Sequence, residues 1–173
     1  MKHLFWAMAL LLCVGYSGSN SSEKEQLAEA EAARIEKSIE DGLGRDGIYQ
    51  VGDYYNRDFN KGIVFDVTNG GRNGKILSLD EADYNWSGAK QWCRNHGDGW
   101  YLPTEDELKE IYRNMSDVNG GLRKYNRRGL YGSNYWSSTE SNSDCALLVY
   151  MSDGSTGDGD KDFDYYVRAV YEF

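Results

Sequence analysis

SDGSTGDGDKDFDYYVRAVYEF, residues 152–173, decides how the chain is read. Its first half is Gly, Ser, Thr and Asp, while YYVRAVY (Tyr165–Tyr171) has the aromatic and β-branched content of a core strand. Burying Asp158, Asp160, Asp162 and Asp164 unpartnered would carry a large desolvation cost. The expectation is therefore a solvated loop, Ser155–Asp164, pinned by a terminal strand. Immediately upstream, CALLVYM (Cys145–Met151) reads as another strand. Alternation puts Leu147, Val149 and Met151 on one face and Leu148, Tyr150 and Ser152 on the other. With the first face in the core, the second is exposed. An exposed Leu and Tyr leading into hydroxyls and carboxylates combine apolar anchors with adaptable hydrogen-bonding groups, the composition of paratopes.

Further upstream, NYWSS (Asn134–Ser138) is a strand, preceded by a glycine- and arginine-rich connection, Gly120–Gly132. Before that lies TEDELKEIY, in which Thr104 and Glu107 form a capping box and Leu108, Ile111, Tyr112 and Met115 recur at helical spacing. NWSGAKQWCRNHG predicts a second helix, capped by Ser87, with Ala89, Trp92 and Cys93 on one face and a stop at Gly97. IYQV (48–51), GIVFDV (62–67) and GKILSL (74–79) read as strands, the last two joined by the hairpin turn TNGGRNG. Strands, two helices and strands again predict an α+β domain with small antiparallel sheets over residues 48–173. Gly74-Lys75 is no phosphate loop, because Asn69 stands where Gly is needed and Ile76 where Ser or Thr is needed.

Lys2 and His3, the apolar run LFWAMALLLCV and small residues at Gly15, Ser17 and Ser19 predict an export signal over residues 1–19. Cys13 raises a lipid anchor as the alternative, although Leu12 precedes it where a small residue is usual. Once the signal is removed, no segment is expected to insert into a membrane. Residues 20–47 are expected to form a helical linker or stalk, with Ala28, Ala32, Ile35 and Ile39 at helical spacing but no sustained heptads.

Within 173 residues the formal charge is −9, which disfavours nucleic acid and anionic membranes as partners. Fourteen Tyr, five Trp and 20 Gly against one Pro suit a loop-rich β architecture. After export His96 is the one remaining histidine, too few for a metal triad, and no Ser–His–Asp arrangement has support, so no enzymatic activity is expected. DGDKDFD spaces carboxylates as a calcium loop would, but Phe163 and Ala169 stand where that loop requires Gly and Glu. A solvated acidic loop, or a looser calcium site shared with other loops, remains. Cys93 and Cys145 are an even pair in an oxidising compartment, open to a disulfide or to two separate thiols.

GWYLPTEDELKEIY (Gly99–Tyr112), YWSSTE (Tyr135–Glu140), ALLVYMSDG (Ala146–Gly154) and VRAV (Val167–Val170), in that order, resemble the bacterial Lcl C-terminal domain family. The resemblance implies a C-type-lectin-like fold, related to the formylglycine-generating-enzyme and major-paralogous-domain groups. The closely spaced cysteine pair of the formylglycine-generating enzymes has no counterpart here. The EPN, QPD and WND motifs of calcium-dependent animal lectins are also missing. One branch of the resemblance is the variable proteins of diversity-generating retroelements, in which AAC and AAT codons near the carboxyl terminus diversify into a set lacking Lys, Glu, Gln, Met and Trp. Between Ser141 and Asp164, only Met151 and Lys161 fall outside that set.

These readings converge on an exported binding protein presenting Asp144, Leu148, Tyr150, Ser152, Ser155, Thr156, Asp158, Asp160, Asp162, Phe163 and Asp164. The expected partner is a protein or glycan ligand on another cell, phage or host surface, bound without a cofactor unless the looser calcium site forms. A fixed-specificity lectin and a structural adhesin or fimbrial subunit are the alternatives. The sequence leaves the oligomeric state open.

Overall fold

A computed structural model describes residues 47–173 and, before them, Gln26, Leu27, Glu29, Ala30 and Ala33, all helical. The expected export signal, Cys13 and most of the expected stalk lie outside the described residues. The chain divides into two units between Asp41 and Gly42, and everything below concerns the second.

Nine strands and three helices are described there, in an α+β arrangement. Strands β1 (Tyr54–Arg57), β2 (Asn60–Thr68), β3 (Asn73–Ser78) and β9 (Val170–Glu172) form one sheet in the order β1-β2-β3-β9. The second sheet contains β4 (Ala82–Tyr84), β5 (Asn134–Glu140), β6 (Cys145–Tyr150), β7 (Thr156–Asp160) and β8 (Tyr165–Val167), in the order β4-β8-β5-β6-β7. Helices α1 (Trp86–Arg94), α2 (Glu105–Arg113) and α3 (Met115–Lys124) occupy the sequence between β4 and β5. All strand pairings are antiparallel except β5 with β8, which run parallel at Tyr135 and Tyr166.

Apolar residues run without alternation in β2 and β3 because both faces are covered. Val64 and Ile76 join a core with Trp86, Ala89 and Cys93 of α1, whereas Ile63, Phe65 and Leu77 join a second core with Leu108 and Ile111 of α2 and Val118 and Leu122 of α3. Sequence alternation therefore marks a side of the sheet here, not a choice between protein and water.

Several boundaries differ from the sequence reading. IYQV is not a strand: Asp53 Oδ2 accepts from Gln50 N and Gly52 has φ +90°, so the segment turns before β1 begins. Helix α1 is capped by Asn85, whose side chain accepts from Gly88 N, and not by Ser87. The Thr104–Glu107 capping box forms as expected. The apolar run to Met115 does not continue as one helix. Asn114 leaves helical geometry and its Nδ2 donates to the carbonyl of Phe65, the bulged residue of β2, 3.0 Å away. The following α3 takes in Gly120 and Gly121, which the sequence predicts as connection. Gly121 is there for packing, since a Cβ would lie 2.7 Å from Ile63 Cγ2.

Tyr165–Tyr171 is likewise two strands rather than one. The chain leaves the second sheet at Val167 and enters the first at Val170. Arg168, at 1% exposure, holds the crossover: Nη1 donates to the carbonyls of Ser78 and Leu79, Nη2 to that of Arg128, and Nε to Glu81. Glu81 also accepts from Arg128 and from the Tyr135 hydroxyl. Burial and the Glu81 bond both push the Tyr135 hydroxyl well above its ordinary pKa.

Candidate ligand-binding surface

The Gly/Asp run that read as a loop is an edge strand. In β7, Gly157 lies opposite Leu148, Asp158 opposite Leu147, Gly159 opposite Ala146 and Asp160 opposite Cys145. Side-chain alternation thus divides TGDGD into a glycine face and a face bearing Thr156, Asp158 and Asp160. The glycine face accommodates aromatic rings from β6 and, beyond it, β5. A Cβ at Gly159 would lie 2.7 Å from Trp136 Cη2, and one at Gly157 would collide with the Tyr150 hydroxyl. Thr156, Asp158 and Asp160 are exposed. A strand of this composition satisfies its backbone through β6 while keeping its carboxylates in water.

Closure of the glycine face corrects the expected faces of β6. Leu148 is buried at 2% exposure in the core with Trp136 and Ala146, and so cannot be a surface anchor. Tyr150 is half-buried against the same core. On the opposite face Val149 and Met151 are buried as expected, while Leu147, across from Asp158, and Cys145 are half-buried. Sheet order decides this, because β7 and the aromatic residues cover the side that was expected to be open.

The remaining expected site residues separate along the β6–β7 hairpin. Ser152 and Ser155 are exposed at its turn, where Asp153 Oδ1 accepts from both the amide and the hydroxyl of Ser155. Those bonds hold the Asp153 carboxyl below its usual range. Asp144, Asp160, Asp162, Phe163 and Asp164 lie toward the other end, about 13 Å away for four strand steps. There the β5–β6 loop (141–144) and the β7–β8 turn (161–164) are joined by Lys161 N donating to Asp144 O at 2.9 Å. Each is also closed internally. Asn142 Oδ1 accepts from Asp144 N and Cys145 N, and Asp160 Oδ1 accepts from Asp162 N. Phe163 projects from this paired turn at 62% exposure among Asp160, Asp162 and Asp164.

Sequence reading passed over Lys161 as a site residue. Its ammonium donates to Glu140 Oε2 at 2.8 Å, Asn142 O at 2.8 Å and Ser143 O at 2.9 Å, and lies 4.6 Å from the Trp86 ring centroid. The hydrogen bond from Lys161 holds the Glu140 carboxyl below its usual range. Lys90 sits 3.2 Å from the same ring centroid, and burial lowers its amine. The one detectable signal was a lysine interrupting the aspartates.

Cys93 is buried and Cys145 half-buried, and both are free cysteines in this structure. Among the described residues, no group of three or more His, Cys, Asp and Glu could hold a metal ion. His96 Nδ1 lies 3.1 Å from the Trp92 carbonyl, with its ring between those of Trp92 and Trp100. No helix among the described residues is long and apolar enough to cross a membrane.

The family model described as the Lcl C-terminal domain matches residues 57–171, from the end of β1 into β9. No curated protein matches the chain at a significant level.

Proposed function

Because the chain belongs to the Lcl C-terminal domain family, we propose that it is an exported, non-enzymatic ligand-binding protein on a C-type-lectin-like scaffold. Its binding groups are those of the paired turn at residues 141–144 and 160–164, with Thr156 and Asp158 along the edge strand. The observation that carries this reading is Phe163. It stands exposed among carboxylates on a turn whose backbone is tied to a second loop. An apolar anchor on a preorganised, polar-rimmed turn loses little entropy on binding. The surrounding carboxylates favour a neutral or basic ligand face, such as a protein on another cell, phage or host surface, over an anionic glycan.

Diversification by a retroelement is the finer part of this proposal. Of residues 141–164, the two outside the set reachable from AAC and AAT codons are Met151, buried at 1% exposure, and Lys161, whose ammonium ties the turn. The exposed positions all belong to that set. Sequencing the flanking DNA tests this part: a near-repeat of the 3′ coding segment and a reverse transcriptase gene are expected, and finding neither removes it.

Binding itself is tested by probing arrays of surface proteins and of glycans with wild type and Phe163→Ala. Protein hits lost in the variant are expected. Hits confined to glycans and unaffected by Phe163→Ala would move the site elsewhere and favour a fixed-specificity lectin.

A further inference from the structure

The ammonium of Lys161 occupies an oxygen-lined niche of the kind that loop proteins often fill with a metal ion. Its three N–H donors meet three acceptors: one carboxylate, Glu140, and two main-chain carbonyls, Asn142 and Ser143. The Trp86 ring adds a π face. The spacing of 2.8–2.9 Å suits ammonium, whereas calcium draws its oxygens to about 2.3–2.6 Å and gathers 6–8 of them. Lys90 shares the Trp86 ring and also acts on Glu140, but of the two ammonium groups it is Lys161 that hydrogen-bonds the carboxylate and the loop carbonyls. The main chain of Lys161 reinforces the same junction, with its amide on Asp144 O and its carbonyl accepting from Trp86 N at 3.1 Å. The nearby aspartates do not converge on a second niche. Asp158 and Asp160 are alternate residues of one strand, about 7 Å apart, and Asp160 Oδ1 is engaged by Asp162 N.

We propose that Lys161 is the built-in cation of the presenting turn, taking the organising role of a metal ion, so that this surface keeps its shape without calcium. The inference rests on the binding reading only in regarding this turn as the one that meets ligand. A tethered ammonium would keep the turn ordered whether calcium is scarce or plentiful, while the exposed side chains around it vary or engage. Lys161 is thus a positioning residue.

Amide hydrogen exchange on the full chain without ligand tests this separately from binding. In Lys161→Met, which keeps an unbranched side chain but removes the charge, the amides of Ser141, Asn142 and Asp144 should exchange about ten-fold or more faster. Those of Ile76 and Leu77 should be unchanged. In Lys161→Ala, methylammonium chloride should restore protection with saturating concentration dependence, while sodium chloride at equal ionic strength should not. In wild type, millimolar calcium and a chelator should give the same rates. Wild-type exchange in Lys161→Met, a calcium-dependent slowing in wild type, or methylammonium acting no differently from sodium would each overturn the proposal. Should Lys161→Ala fail to fold, the Lys161→Met and calcium comparisons decide it. A failed ligand screen would leave these rates untouched.

Discussion

The Trp136 ring rests against the backbone of Gly159, and a Cβ added to that glycine would lie 2.7 Å from Trp136 Cη2. Trp136 is fully buried, its Nε1 donating to the carbonyl of Tyr84 at 3.0 Å, so the ring is held from both sides. Gly159→Ala should therefore destabilise the domain by about 1–3 kcal/mol through overpacking. Asp158→Ala, on the other face of the same strand, should change stability by less than about 0.5 kcal/mol. Urea unfolding of the two variants beside wild type measures the contrast, and equal losses would contradict the alternation assigned to β7.

Arg168 should tolerate no replacement. Methionine would fill much of its volume but leave the carbonyls of Ser78, Leu79 and Arg128 without their donor and remove one cation from Glu81. Breaking a buried ion pair from one side costs about 3–5 kcal/mol. Lysine, a point charge without the planar fork, should recover only part of it. Thermal unfolding of Arg168→Met and Arg168→Lys checks both the loss and its order.

Glu107 sets an acid limit to stability. Burial alone would raise its carboxyl, but hydrogen bonds from Lys75 Nζ, the Thr104 amide and the Tyr101 hydroxyl outweigh that and lower it below the ordinary 4.5. A depressed folded-state value stabilises the fold above the unfolded-state value, and that contribution disappears as pH falls through the folded one. Unfolding free energies taken from neutral pH to about pH 3 should therefore fall more steeply below about 4.5 in wild type than in Glu107→Gln. Parallel curves would remove Glu107 as a cause.

The two domain cysteines should behave differently. Burial pushes the Cys93 thiol up to about 12, whereas Cys145 is half-buried on β6 beside the edge strand. Since the thiolate is the reactive form, alkylation of native protein at mildly alkaline pH should label Cys145 and spare Cys93 until urea is added. Peptide mass spectrometry reads the result. Protection of both residues, reversed by reductant, would restore the disulfide.

Features carried by near neighbours were legible in the sequence. The Thr104–Glu107 capping box spans three residues, and the β2–β3 hairpin is joined by a short glycine-rich turn. The aspartates of the edge strand and the following turn are legible as exposed because burying them unpartnered is costly, and Phe163 is carried to the surface with the acidic segment that contains it. The errors came where distant segments meet. Leu148 was assigned to water because alternation names two faces without saying that Trp136 and β7 close one of them. Gly157 and Gly159 were read as loop residues because the rings they make room for belong to other strands. Lys161 drew no attention as a site residue because its carboxylate partner is 21 positions away.

Sequence by itself determined the α+β class, the capped α2, the paired β2 and β3 and the solvent exposure of the acidic run, since each follows from local hydrogen bonding or the cost of dehydrating charge. Only tertiary structure decided that the run is an edge strand, that the final strand crosses between sheets at Arg168, and that Lys161 ties two turns together. Those outcomes depend on which strands become neighbours, and side-chain periodicity within one segment carries no information about what lies against it.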